Sequence, residues 1–456
     1  MSQPIIHLHC HTSASTMHSI DGLNSPEDLA KFAKDTGAGA IAITDLGNVA
    51  AHITFWKACK KQGVKPILGC EFYLVPDAKS QKDQGFGRGK SFHITVLAQN
   101  KTGWHNLLKL VSISNSPEHF HYEPRIDWLS LVEHKEGLII LSGCPKGLIN
   151  RPLCEGDESL AAERAGLMVK EFGENFYFEV QDVGIREPDL DQAKLNTFLR
   201  KMAVRYNRPT VFTLDAHFCK QEDYEAHQYL VGIMTGRHIN EVITEESMRY
   251  TNGFYLKTRE ECLQYDCKPE EIDETANIAE RIEEFDVGVG GRHLPTIQNE
   301  SDKTPIEQLR ELALDGWKKF DISSRPNKDE YAVRMKKELA DIEQAGMAEY
   351  FLLVHDVVSW GKARGIPFGS GRGSAGGSLT LYLLGVTGKD LDPIQWGLVW
   401  ERFYNVGRSH SFPDVDIDVA KEYREDVIRY IAERFGDDRV SQLITFGRMT
   451  ARSVLK

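Results

Sequence analysis

At 456 residues, with 41% hydrophobic and 27% charged side chains, the chain has an ordinary globular composition and room for about two to four domains. No apolar run reaches the ~18 residues that span a bilayer, and no basic stretch leading into an apolar one opens the chain; both exclude a membrane protein and set the expectation of a cytoplasmic one. A net charge of −12 argues against coating nucleic acid with the whole surface, though not against a local basic channel or an acidic site that meets phosphates through divalent metals.

Residues 1–287 alternate short β-rich runs with amphipathic stretches. Residues 5–10, 40–44, 66–68, 93–97, 138–142, 177–180 and 210–214 predict strands, and 26–36 and 161–172 predict helices between them. This alternation predicts an α/β domain with a parallel sheet, barrel-like or layered, and the number of strand candidates favours a barrel. Residues 288–304 (GVGGRHLPTIQNESDKT) read as a linker. Helical spacing follows in Tyr331, Met335, Leu339 and Ile342, and again in Phe351, Val354 and Val358. A glycine-rich loop and a strand–loop–strand region dense in carboxylates come next. A last helix over 421–435 aligns Tyr423, Val427, Ile431 and Phe435. The sequence stops inside an apolar segment without a stop signal, which predicts a longer parent chain. Eight cysteines without a C-x-x-C pair speak against structural zinc, and a chain this long needs no disulfide framework.

Two constellations carry chemistry. In the run IIHLHCHT (5–12), the two-residue period of a strand puts His7, His9 and His11 on one face, where imidazoles one pleat apart can share a zinc, manganese or iron ion. Asp215 and His217 repeat the spacing at the end of another strand, and Asp45, Glu71 and His93 each sit at a strand edge. A single H-x-H is more often a surface pair than a metal site; several ligand types at the strand ends of one domain point to a common metal site. The second constellation begins at FGSGRGSAGGS (368–378). Its glycines let backbone approach a phosphate, Arg372 adds a forked cation and Ser374 a hydroxyl, although the spacing alone fits a plain glycine loop as well. Then, in PDVDID (413–418), carboxylates alternate with Val and Ile, putting like charges on one strand face where they call for cations between them. A solvated acidic edge strand is the competing reading.

The segments HLHCHT, ITD (43–45), GCE (69–71), SGC (142–144) and DAH (215–217) resemble the motifs of PHP domains, seven-stranded α/β barrels that hold up to three metal ions and hydrolyse phosphoesters or have lost that activity. The resemblance implies His9, His11, Glu71, His93, Cys144, Asp215 and His217 as metal ligands, with Zn2+ or Mn2+ as the ion, and Asp21 as a further metal-side residue. The position after Asp45, histidine in metal-replete members, is Leu46; His18 in the lengthened first loop is a conceivable substitute. GRGS (371–374), ERFYN (401–405) and PDVDID, in this order behind a PHP domain, are similar to the palm of bacterial replicative DNA polymerase alpha subunits of the C family, as is the final stretch 440–448.

This resemblance implies a fold of a PHP-type (β/α) barrel (1–287), a linker (288–304) and an incomplete α+β nucleotidyltransferase-like palm (305–456). It implies Asp414 and Asp416 as Mg2+-holding catalytic carboxylates. Gly371, Arg372, Gly373 and Ser374, with Arg402, are implied as nucleotide contacts. The third palm aspartate, the fingers, the DNA-binding helix–hairpin–helix pair, the clamp-binding peptide and the OB domain follow the palm in this family. The expected function is therefore template-directed DNA synthesis from primer-template and dNTPs, by a chain that does not extend a primer alone. The segment GRSHS (407–411) departs from the usual loop, as in a divergent, phage-borne member. The alternatives are a metal-dependent phosphoesterase or 3′–5′ exonuclease, and a non-catalytic scaffold that docks a proofreading subunit.

Overall fold

A computed structural model of the chain describes residues 3–15, 22–79, 91–187, 189–236, 250–288, 302–405 and 413–443. It divides into two compact units, Met1–Gly290 and Gly291–Lys456. In the first, β1 (Ala40–Ile43), β2 (Lys65–Val75), β3 (Phe92–Ala98), β4 (Arg125–Asp127), β5 (Leu138–Leu141), β6 (Phe176–Gln181) and β7 (Thr210–Thr213) form one sheet. Its order is β1-β2-β3-β5-β6-β7, with β4 paired to β2. The expected all-parallel sheet is corrected at β3, which doubles back along β2 with Leu74 opposite Phe92 and Gly69 opposite Leu97 and also runs antiparallel to β5. Periodicity assigns side chains to faces but carries no strand direction.

The opening segment closes the sheet on itself. Ala42 and Thr44 donate to the carbonyls of His7 and Cys10, at 2.8 and 2.9 Å. On its other edge His11 donates to Ala216 (2.9 Å) and Ala216 donates to His9 (3.1 Å). It is an extended stave rather than the regular strand expected over 5–10. Residues two apart on β1 take carbonyls three apart on this stave, so one residue is extra, as in a β-bulge. Ile6 and Leu8 face the barrel floor with Ala42, Ile67, Leu97 and Ile139, while His7 is turned out against the Phe32 ring, 5.5 Å away, and the Lys257 carbonyl, 2.9 Å away. The expectation that His7 shares a face with His9 and His11 is thereby corrected.

Alternation sorts the staves into layers. Tyr177 and Val211 join the floor, which the helix Pro269–Arg281 closes with Ala276 and Ala279. Phe176, Phe178, Phe212 and Leu214 face outward into the helix layer. Burying each such side chain stabilises by about 1.5–3 kcal/mol. Above the apolar floor the inward positions turn polar, with Glu71, His93, Thr95, Glu179 and Thr213 all buried.

The second unit is mainly helical among its described residues. Pro305–Lys319 opens with a capping box, Thr304 N–H donating to Glu307 at 2.8 Å, and Lys328–Ala345 ends at Gly346 with φ +64°. With Ala348–Ala363 and Leu379–Leu383 they enclose Leu309, Ile342, Phe351, Leu381 and Trp400. The acidic segment from Pro413 runs extended and is tied to Phe368 by one antiparallel bridge at Val419. Val415 packs into the core, whereas Ile417 is 36% exposed. The closing helix, Arg424–Phe435, is led by a short 3-10 turn, Lys421–Tyr423, and stacks Tyr430 on Trp360 at 4.2 Å. Most of the expected linker (289–301), GRSHS, and the stretch from 444 onward lie outside the described residues.

Candidate metal centre and phosphate loop

The polar layer of the barrel gathers His9 and His11 from the closing stave, Glu71 from β2, His93 from β3, Cys144 after β5, and Asp215 and His217 after β7. They form three overlapping groups, His9–His11–Glu71, His11–Asp215–His217 and Glu71–His93–Cys144, each with donor atoms within 4.8 Å of one another. Asp21 and His18 lie outside the described residues. His7, on the far side of the bulge, belongs to no group.

The donor set fits a metal. His9 Nε2, His11 Nε2 and Asp215 Oδ1 are buried without a hydrogen bond. They nevertheless converge: Asp215 Oδ1 is 3.5 Å from His9 Nε2 and 2.9 Å from His11 Nε2. Unsatisfied buried polar atoms cost about 1–3 kcal/mol each, and a cation among them removes that penalty. Imidazole, carboxylate and thiol donors suit zinc, manganese or iron.

The outer nitrogens are already engaged, which leaves the inner ones for a metal. His9 Nδ1 lies 2.7 Å from Glu179, and His11 Nδ1 2.7 Å from the Ser15 hydroxyl. Glu179 also accepts from Thr213 Oγ1 (2.6 Å), Gly143 N (2.8 Å) and Gln181 Nε2 (3.1 Å). Its placement was readable as a lone carboxylate between Phe178 and Val180, at an inward strand position.

Charge is distributed accordingly. Burial alone would depress His9, but Glu179 and Asp215 outweigh it and raise its pKa well above the ordinary value. Burial would likewise raise the Asp215 carboxyl, yet His9, His217 and His11 hold it low. Burial, with Glu71 and Asp215 nearby, pushes the Cys144 thiol far up; a cation beside it reverses that balance. Asp215 also adopts φ +51°, a left-handed backbone uncommon outside glycine that recurs at functional sites.

Leu46, 7% exposed, puts hydrocarbon where the PHP resemblance places histidine, and its N–H donates to Ser15 Oγ at 3.1 Å. Asp45 is in none of the three groups. It accepts from Thr12 N (2.6 Å) and Thr12 Oγ1 (2.8 Å), fixing the turn after His11.

In the second unit the glycine loop lies on the acidic segment. Gly369 N donates to the Asp418 carbonyl at 2.9 Å. Gly371 and Gly373 have φ of +98° and +67°, and a Cβ on Gly373 would stand 3.2 Å from Asp416 Oδ2. Arg372 reaches Asp416 and Asp418, each at 3.2 Å. Asp414 and Ser374 flank this contact along the chain. Arg402 ends a short 3-10 turn, Trp400–Arg402, with its side chain exposed. Sequence reasoning missed the anchor, Glu338. This buried carboxylate accepts from Leu379 N (2.9 Å), Thr380 N (2.8 Å) and Arg334 Nε (2.7 Å). Arg334 also donates to the Gly377 carbonyl at 2.7 Å, so one ion pair holds the far end of the loop. No spacing in the sequence signals it.

Comparison with known proteins agrees with both halves. The family model described as PHP domain matches residues 7–183, and that described as Bacterial DNA polymerase III alpha NTPase domain matches 307–456. The DNA polymerase III subunit alpha of Borreliella burgdorferi is 37% identical over 455 residues, covering 99% of this chain and 38% of its own length. The chain belongs to the bacterial DNA polymerase III alpha family. The alpha subunit of Treponema pallidum is 35% identical, covering 99% of this chain and 37% of its own, and that of Thermus aquaticus 33%, covering 99% and 41%. The chain thus spans about two fifths of the length of these polymerase III alpha relatives. Among solved structures, an amidohydrolase from Chromobacterium violaceum aligns over 46% of this chain and 87% of its own at 14% identity and a TM-score of 0.28, too distant to add to the fold. No described helix is long and apolar enough to cross a membrane.

Proposed function

We propose that this chain is the amino-terminal part of a catalytic alpha subunit that copies DNA by two-metal nucleotidyl transfer. In this reading a PHP domain (1–287) and a linker (288–304) precede a partial palm (305–456). The observation that carries it is the seating of the glycine loop on the aspartates, with Arg372 between Asp416 and Asp418 at 3.2 Å from each. Asp414 and Asp416 would hold Mg2+, which supplies charge stabilisation at a triphosphate. The loop from Gly371 to Ser374, with Arg402, would present N–H groups, a hydroxyl and guanidinium groups to phosphate oxygens. Arg372 neutralises the aspartates until a metal does so. Primer-template DNA and dNTPs are the substrates, and a sliding clamp would bind through a part of the protein beyond this chain. Primer extension by the full gene product tests the reading. Asp416→Asn is expected to abolish extension, and extension at the wild-type rate in that variant overturns it.

A second activity is favoured by the orphaned atoms of the barrel. His9, His11, Glu71, His93, Cys144, Asp215 and His217 would hold Zn2+ or Mn2+, which activates a water toward a phosphodiester, giving a phosphoesterase or 3′–5′ exonuclease. Elemental analysis with a 3′–5′ exonuclease assay decides it. Bound metal, with activity lost in Asp215→Ala, is the expected result. Metal-free, inactive protein would leave the barrel as a docking scaffold for a proofreading subunit.

A further inference from the structure

The group formed by His11, Asp215 and His217 has a neighbour outside the sequence-derived ligand set. The Tyr250 hydroxyl lies 3.3 Å from His217 Nε2. The other ring nitrogen of His217, Nδ1, sits 2.7 Å from the Asp215 carbonyl oxygen. A carbonyl only accepts, so Nδ1 carries the proton and Nε2 is the bare nitrogen, the one able to bind a cation. The phenol oxygen therefore stands beside the lone pair that a metal would take.

We infer that Tyr250 supplies the fourth donor to the ion held by His11, Asp215 and His217. This rests on the metal-centre reading given above. Two ligands about 2.1 Å from one ion at a tetrahedral angle stand about 3.4 Å apart; His217 Nε2 and Tyr250 Oη stand 3.3 Å apart. The pair already has the separation of two ligands of one ion. On coordination the phenol O–H bond breaks, its proton leaves to solvent, and the oxygen lone pair binds the cation.

The tyrosine is held in place for this. Its ring packs at 4.9 Å from His217, 4.6 Å from His227 and 5.0 Å from Phe254. Its carbonyl accepts from the Tyr224 hydroxyl at 3.0 Å, and the Phe254 carbonyl accepts from His217 N at 2.9 Å. The segment after 250 thus fixes ring and imidazole together. Hydrocarbon at Leu46 removes one donor elsewhere in the cluster, whereas a phenolate adds a hard anionic one here, which favours a highly charged ion such as Fe3+.

Iron gives a readout independent of catalysis, because a tyrosinate bound to Fe3+ absorbs in the visible. The apo-protein, stripped by chelator, is reloaded with Fe3+, and its iron content and visible spectrum are measured. The wild type is expected to show the charge-transfer band, with tyrosinate modes in its resonance Raman spectrum. Tyr224→Phe should keep the band. Tyr250→Phe should lose it while retaining a wild-type circular dichroism spectrum, and should give up iron to a competing chelator about 10–100-fold more readily. Iron bound without the band in the wild type, or an unchanged band in Tyr250→Phe, overturns the inference and leaves the metal centre standing. A wild-type protein that takes up no metal overturns the metal centre and this inference with it.

Discussion

Glu179→Gln removes a charge from the middle of the barrel while keeping its shape. The carboxylate orients His9 through Nδ1 and takes three further hydrogen bonds, all from buried groups. An amide has one acceptor oxygen where the carboxylate has two, so Thr213 Oγ1, Gly143 N and His9 cannot all be satisfied. The expected loss is about 10–100-fold in metal affinity and about 1–3 kcal/mol in stability, measured by chelator competition and urea unfolding. Affinity equal to wild type would show that His9 needs no orienting partner. His52 contributes differently. Its Nε2 donates to the Gly69 carbonyl at 2.6 Å, and burial lowers its pKa from 6.5 to about 4. Between those values the unfolded chain takes up a proton that the folded chain refuses. Stability from this site is therefore complete above pH 6.5 and falls as the pH drops toward 4, by up to about 3 kcal/mol. His9 and His11 titrate with the opposite sign, so the comparison of interest is wild type against His52→Gln. The variant's urea midpoint should decline less steeply over this window, and parallel curves would show that His52 is not buried as a neutral ring.

At the scale of elements, the period-two runs located the staves because a residue's parity decides whether it faces helices or the barrel interior. The same parity exposed the ligands: Glu71, His93 and Asp215 are inward residues at the polar end of otherwise apolar runs. His7 defeated that rule because a single extra residue, set by the pairing of the stave with β1, flips every side chain beyond it. Such a bulge is a property of two strands together and leaves no mark on one. The direction of β3 was hidden for a related reason. Glu338 was hidden because a carboxylate on a helix reads as solvated until the loop that it caps is known to lie over it. That anchor makes a prediction. Glu338→Ala leaves the N–H groups of Leu379 and Thr380 and the guanidinium of Arg334 without their acceptor. Removing one partner of a buried ion pair costs about 3–5 kcal/mol, and urea unfolding of the second unit should show a loss of that size. A change below about 1 kcal/mol, typical of an exposed pair, would mean that the glycine loop is not held by this contact.

For the whole molecule, the separate cores of the two units, one around the barrel and one around Phe351 and Trp400, predict two unfolding transitions, to which metal contributes unequally. The barrel's donors are buried and pre-oriented, whereas the aspartates of the second unit are exposed or half-buried and Arg372 competes for them. At a free Mn2+ concentration about a hundredfold above the barrel's dissociation constant, binding to the folded state alone adds about 2.7 kcal/mol. A unit of this length unfolds with an entropy near 0.6 kcal/mol per kelvin, so its midpoint should rise by about 4 °C. Differential scanning calorimetry of the stripped and loaded chain should show the barrel transition moving and the other staying within error. Asp215→Asn should remove most of the shift, because it takes the carboxylate shared by His9 and His11 out of the cluster. If both transitions moved together, the ion would be binding the aspartates of the second unit as tightly as the barrel, and Arg372 would not be competing for that site. If neither moved while metal remained bound, the ion would be held as well by the unfolded chain, and the burial of the donors would not be what creates the site.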